Sequence, residues 1–184
     1  MVSILHCDAY GRLSFCARLS IVMAFEVDLT SGLSELAKQV RSVTVHSLRT
    51  ARPEMLTWTP PGLSNHILWH AGHAVWVGDV LTVEPITGRS ERPAGWEVLF
   101  GDESKPGVQT KWPNSAEVSA LLEMQLDRIL TLFAERSSTI IQRAIEMQPN
   151  SGWPLLTGII HGWHDEAKHQ GEMHLLGKLY RCSL

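Results

Sequence analysis

Apolar positions recur at the spacing of an α-helix along four stretches of the chain, with polar positions on the opposite faces. In the first, Leu33, Leu36, Ala37 and Val40 stand at i, i+3, i+4 and i+7 behind Thr30 or Ser31 as N-cap. This predicts a helix running to about Arg52 and closed by Pro53. The β-branched patch Val43-Thr44-Val45 has weak helical propensity, so tertiary packing must hold that turn. A Thr59-Pro60-Pro61-Gly62 turn leads to Ser64 or Asn65 as N-cap of a second helix, which reaches about Val83 before Pro85.

Asn114-Ser115-Ala116-Glu117 has the capping-box pattern and opens a third helix. Its inward stripe of Val118, Leu121, Leu122, Ile129, Leu132 and Phe133 is interrupted by Gln125, which suits an interhelical hydrogen bond or a substrate contact. That helix either breaks near Ser137 and Ser138 or continues to about Glu146. Pro154 then suits the first turn of a fourth helix reaching about Arg181. Residues 84–113 show no sustained period and form a long connection, part of which Trp96, Val98, Leu99 and Phe100 are expected to tuck onto the bundle. The architecture expected is all-α: a four-helix bundle with one long crossover between its second and third helices.

The fourth helix carries unusual chemistry. His161, Asp165, His169 and Glu172 fall on one arc with Gly162, Met173, Leu176 and Tyr180, while His164, Lys168, Gln170, His174, Lys178 and Arg181 take the other side. Asp165 and His169 are one turn apart, so both can converge on one ion, whereas His161 and His169 lie about 12 Å apart along the axis and cannot. On the second helix His66, His70 and His73 all face inward. A buried carboxylate and imidazole need compensation, either by a metal or by a hydrogen-bonded core network. Glu166 reads as a solvated or interhelical salt bridge.

Composition narrows the partners. With 184 residues, 44% hydrophobic, 19% charged and a net charge of −3, the chain suits one domain and a small-molecule partner, with no nucleic acid. Residues 1–22 carry Arg12 and Arg18 ahead of a short apolar run from Leu19 to Phe25, and acidic Glu26 and Asp28 follow. This is a weak signal-peptide pattern, so the segment is expected to be an irregular extension or an upstream start, with the domain spanning 23–184. No stretch attains the ~18 apolar residues of a membrane span. Cys7, Cys16 and Cys182 have no thiolate-zinc or disulfide spacing, and a cytoplasmic location is expected. Seven tryptophans supply either core area or an aromatic pocket.

The run from Asn65 to Trp76 (NHILWHAGHAVW) resembles the Trp-x-x-Gly-His signature of DinB-like proteins, and Asp165 to Glu172 (DEAKHQGE) resembles their His-x-x-x-His-x-Gly-Gln signature. The resemblance spans roughly residues 25–181. It implies a four-helix bundle, frequently a homodimer, with a divalent metal held by His73, Asp165 and His169. Here Asp165 stands where a histidine is usual and Glu172 where a glutamine is usual; a carboxylate at the first position also resembles the mycothiol-dependent maleylpyruvate isomerase branch. Two imidazoles and a carboxylate suit zinc first, with nickel, iron or manganese as alternatives. His70 rivals His73 as ligand, and the family pattern favours His73.

By the same resemblance the expected activity is a metal-dependent thiol S-transferase, isomerase or hydrolase. It would activate a low-molecular-weight thiol or water against a small electrophile, with His70 or Glu172 shuttling protons. His161 is expected to orient Asp165, Glu172 to accept the outer N–H of a ligand imidazole, and His66 to form a polar wall. The alternative is a non-catalytic, metal-binding or structural bundle acting as a homodimer.

Overall fold

The computed structural model describes residues 15–109 and 111–184, with side chains described from residue 29 onward. Helix α1 spans Phe15–Thr50. Thr30 and Ser31 therefore lie inside a continuous helix and do not begin it, and residues 15–22 of the segment expected to be irregular are helical; residues 1–14 lie outside the described part. Helix α2, Ile67–Gly78, continues through a π-helical turn at Asp79–Val83 into α3, Glu84–Thr87, and stops at Gly88, whose φ is 78°. The wide turn precedes Pro85, whose ring would strike the carbonyl of residue 81 in a regular helix.

The crossover is not structureless. It holds α4, Trp96–Phe100, and a 3₁₀ turn at Pro106–Val108. Trp96 and Phe100 are buried and Leu99 packs on the core, whereas Val98 is exposed, contrary to expectation. Buried Asp79 fastens the start of the crossover, accepting from Ser90 Oγ at 2.7 Å, the Glu91 amide at 2.8 Å and Arg92 at 2.7 Å. Helix α5, Ser115–Glu135, is capped by Asn114, whose side chain accepts from the Glu117 amide at 2.8 Å. The chain breaks at Arg136 and resumes as α6, Ser137–Gln142. Helix α7, Leu155–Cys182, starts directly after Pro154.

The four long helices close a bundle in which α1 and α2 each pack against both α5 and α7. Its apolar core falls into two clusters. One gathers Leu48, Leu68, Ala71, Trp96, Phe100, Leu122 and Met173, and the other Leu33, Val40, Val83, Ile129, Phe133, Ile159 and Trp163.

A polar layer separates them on the long helices, with Arg41 between Val40 and Val45, Gln125 between Leu122 and Ile129, and Glu166 between Trp163 and Met173. Arg41 is fully buried; its Nε donates to Glu166 Oε1 at 3.0 Å and its terminal nitrogens to Glu166 Oε2 at 3.0 Å, Leu122 O at 2.9 Å and Gln125 Oε1 at 3.1 Å. Thr44 Oγ1 donates to Glu166 Oε1 at 2.6 Å. Gln125 makes the interhelical bond expected of it, its Nε2 donating to Val75 O at 2.7 Å, and Gly78 is the residue whose missing Cβ leaves space for that amide. Glu166 is thus an interhelical ion pair, but a fully buried one. Gln170 also turns inward, donating to Thr44 Oγ1 at 2.9 Å, while Glu172 is exposed. The inward arc of α7 is therefore rotated from the one expected, because Glu166 and Gln170 find polar partners in the core.

Removing one member of a buried ion pair leaves the other charge uncompensated. Arg41→Ala should therefore cost about 3–5 kcal/mol in urea unfolding, far more than Lys38→Ala, which breaks an exposed ion pair with Glu35.

Candidate metal centre

The site lies where α2 faces α7, roofed by the crossover. His66 is not a wall of this site: it is the N-cap of α2, its Nδ1 accepting from the Trp69 amide at 3.0 Å. That bond needs a neutral ring, and burial holds the His66 pKa down at about 4. One turn on, the ring of Trp69 stacks on His73 with centroids 4.7 Å apart, and its Nε1 donates to Ser104 Oγ at 2.9 Å. Gly72 has no side chain because the Phe100 ring occupies the place a Cβ would take. Trp96 Nε1 donates to the Gly72 carbonyl at 2.9 Å. The tryptophan and glycine of the Trp69-x-x-Gly72-His73 motif are thus where the crossover docks.

That docking fixes His73. Its Nδ1 faces Phe100 O at 2.6 Å, and a carbonyl only accepts, so Nδ1 carries the proton and Nε2 is bare in the neutral ring. His169 has the same design: Nδ1 lies 2.7 Å from Glu172 Oε2, which leaves its Nε2 bare. Both bare nitrogens point at one carboxylate oxygen, with Asp165 Oδ2 at 3.5 Å from His73 Nε2 and 3.3 Å from His169 Nε2. Three acceptors therefore converge, an arrangement that only a proton or a cation can hold together.

The spacing fits a metal. Ligand bonds of about 2.1 Å in tetrahedral geometry place donor atoms about 3.4 Å apart, close to both measured edges. The donor atoms of His73, Asp165 and His169 all lie within 4.8 Å of one another. Without an ion, the proton takes that place. Burial opposes charge on His169 and Asp165 alike, yet their mutual hydrogen bond overrides it, raising the His169 pKa and holding the Asp165 carboxyl far below the ordinary range.

His70 stands behind this set. Its Nδ1 is 2.9 Å from His169 Nδ1 and 3.2 Å from Glu172 Oε2, so it meets the edge of His169 opposite Asp165. Burial, reinforced by the neighbouring His169 and His73, holds the His70 pKa down at about 3. His70, His169 and Glu172 form a second group that could hold a metal, but it shares His169 with the first. His70 and Glu172 line a cavity of about 300 Å³ with Leu63, Leu175 and Leu179. His73 and Asp165 line a different one of about 740 Å³, walled by Trp76, Val80, Leu81, Trp153 and His161. His161 stacks on Trp153 with centroids 4.8 Å apart instead of orienting Asp165, and His164 is exposed, as its place on the outer arc implies.

Two site features had no signal strong enough to read in the sequence: the Phe100 carbonyl, which any residue could supply, and Asp102 of the crossover, whose Oδ1 comes within 3.8 Å of His73 Nε2. Arg41 did leave one, a charge on the inward stripe of Leu33, Ala37 and Val40.

The sequence pattern of the DinB superfamily matches residues 36–173. The chain belongs to this superfamily. No curated protein matches it at a significant level. The matched span contains His73, Asp165 and His169 together with the whole crossover. Among the described residues no helix is long and apolar enough to cross a membrane.

His66 and His70 give the metal-free protein an acid-sensitive fold. Both have folded-state pKa values, about 4 and about 3, below the ordinary 6.5, so their stabilisation is present above 6.5 and is lost as the pH falls toward those values. His169, shifted the other way, offsets part of this loss. The melting temperature should decline from pH 6.5 to pH 4, and His66→Asn, which keeps a capping acceptor but does not titrate, should flatten that decline.

Proposed function

We propose that the protein is a zinc-dependent enzyme that activates a low-molecular-weight thiol, or water, for attack on a small electrophile. The observation that carries this reading is the convergence of His73 Nε2, His169 Nε2 and Asp165 Oδ2 beside a cavity of about 740 Å³, a volume suited to a small-molecule ligand. His73, Asp165 and His169 would hold the ion. When bound, it supplies Lewis acidity that lowers the pKa of a thiol or water at an open position.

The chain's own groups do the rest. Phe100 O and Glu172 hold the Nδ1 protons of the two imidazoles, which keeps both Nε2 lone pairs aimed at the same point. Glu172 and His70, facing the smaller cavity, act on His169 and do not meet the substrate. Trp76, which stacks on His73 with centroids 5.3 Å apart, and Trp153 give the large cavity aromatic walls against which a flat electrophile can lie. Among the described residues no cysteine lines that cavity, and in this reading the sulfur nucleophile arrives with a co-substrate.

A second reading, a non-catalytic homodimeric bundle in which the metal only braces α2 against α7, draws on exposed Leu63, Leu175 and Leu179 around the smaller cavity. Activity separates the two. Zinc-loaded protein should accelerate addition of a small thiol to an activated alkene, followed by loss of free thiol. His73→Ala and Asp165→Ala should lose more than the roughly 10- to 100-fold typical of a change behind the ligands. No acceleration with any thiol, and no hydrolysis of activated esters, would leave the non-catalytic reading.

A further inference from the structure

The crossover brings one more carboxylate to His73. Asp102 Oδ1 is 3.8 Å from the same Nε2 that Asp165 approaches at 3.5 Å, and Asp102 lines the large cavity beside Asp165. These two carboxylates reach His73 from different elements, α7 and the segment after α4. The backbone that carries Asp102 is pinned on both sides. Phe100 O, two residues before it, receives the His73 Nδ1 proton, and Ser104 Oγ, two residues after it, receives the Trp69 Nε1 proton. A turn closes between the pins, where the Ser104 amide donates to Gly101 O at 3.0 Å. Asp102 therefore sits on backbone hydrogen-bonded on both sides to the site's own residues, while its side chain is 76% exposed.

Resting on the metal-centre reading above, we propose that Asp102 is a fourth, exchangeable ligand of that centre. It occupies the open coordination position when no substrate is present and yields it to an incoming thiolate or other anion. Three observations and one electrostatic argument agree with this assignment. The 3.8 Å separation from His73 Nε2 is a few tenths of an ångström beyond the ~3.4 Å edge of a tetrahedral site. The side chain lies outside the compact set of His73, Asp165 and His169, which suits a ligand that swings in and out. Its neighbour Asp165 is 17% exposed and held between two imidazoles, which suits a permanent ligand. A second carboxylate close to His73 is repelled by Asp165 unless a cation lies between them.

The test compares wild type, Asp102→Asn and Glu103→Gln, the last removing an adjacent cavity charge that makes no contact with His73. Each is freed of metal, then titrated with zinc against a chromophoric chelator and, separately, loaded with cobalt(II) for visible absorption with and without azide as the exchanging anion. Asp102→Asn should bind zinc about tenfold more weakly, show an altered cobalt spectrum, and take up azide at lower concentration because the position is already vacated. Glu103→Gln should match wild type in all three. Wild type that binds zinc no more tightly than Asp102→Asn, with the same cobalt spectrum, would overturn the role of Asp102 alone. Equal weakening in Glu103→Gln would also overturn it, by reducing the effect to general cavity charge. Wild type that takes up neither metal would overturn the metal centre itself, and the ligand role with it.

Discussion

A fully buried arginine in the middle of a helical bundle constrains everything around it. Arg41 can be accommodated only if its guanidinium is matched by a carboxylate and by acceptors filling its remaining N–H positions, because an unpaired buried charge costs several kcal/mol. Glu166 supplies the charge, and Gln125 and the Leu122 carbonyl take the other protons. Through Gln125 the layer reaches the Val75 carbonyl, so one set of hydrogen bonds ties α1, α5, α7 and α2 together. Apolar contacts tolerate sliding and rotation far better than this layer does. Once Glu166 faces Arg41, the azimuth of α7 is set, and Asp165, one residue earlier, and His169, one turn after Asp165, must look toward α2.

The other half of the site depends on close approach. Gly72 admits the Phe100 ring, and that contact carries the Phe100 carbonyl to His73. The tryptophan of the motif stacks on the same histidine while holding Ser104. What looks in the sequence like a ligand signature is, physically, a docking signature with one candidate ligand, His73, at its end. The crossover is accordingly part of the site. It orients one imidazole, brings Asp102 to the cavity, and is itself fastened at its start by the buried Asp79.

Helical periodicity and capping patterns suffice to read the bundle and its long crossover, because those signals are local. They also placed Asp165 and His169 one turn apart and His73 on an inward face. They failed where long-range pairing outweighed local preference. Thr30 is a good N-cap, but α1 runs through it. Ser64 and Asn65 are better cap residues than His66 by type, yet the histidine takes the position with its ring nitrogen. The sequence pattern puts His161 and Glu172 on the inward arc of α7 with Asp165 and His169, and leaves Gln170 on the solvent side. Gln170 and Glu166 are inside because Thr44 and Arg41, on a different helix, receive them. A single sequence without its partners in view assigns such residues to water.

Whether His73, Asp165 and His169 hold a divalent ion is decided by metal uptake in the folded protein. Metal-free wild type and His169→Ala should be titrated with zinc in parallel, with helicity followed by circular dichroism. Wild type should bind about one ion per chain tightly, and His169→Ala should lose it while the helical signal is retained. Uptake that is unchanged by His169→Ala, or no uptake by the wild type of zinc, nickel, iron or manganese, would contradict a metal site and leave the three residues as a proton-bridged polar core.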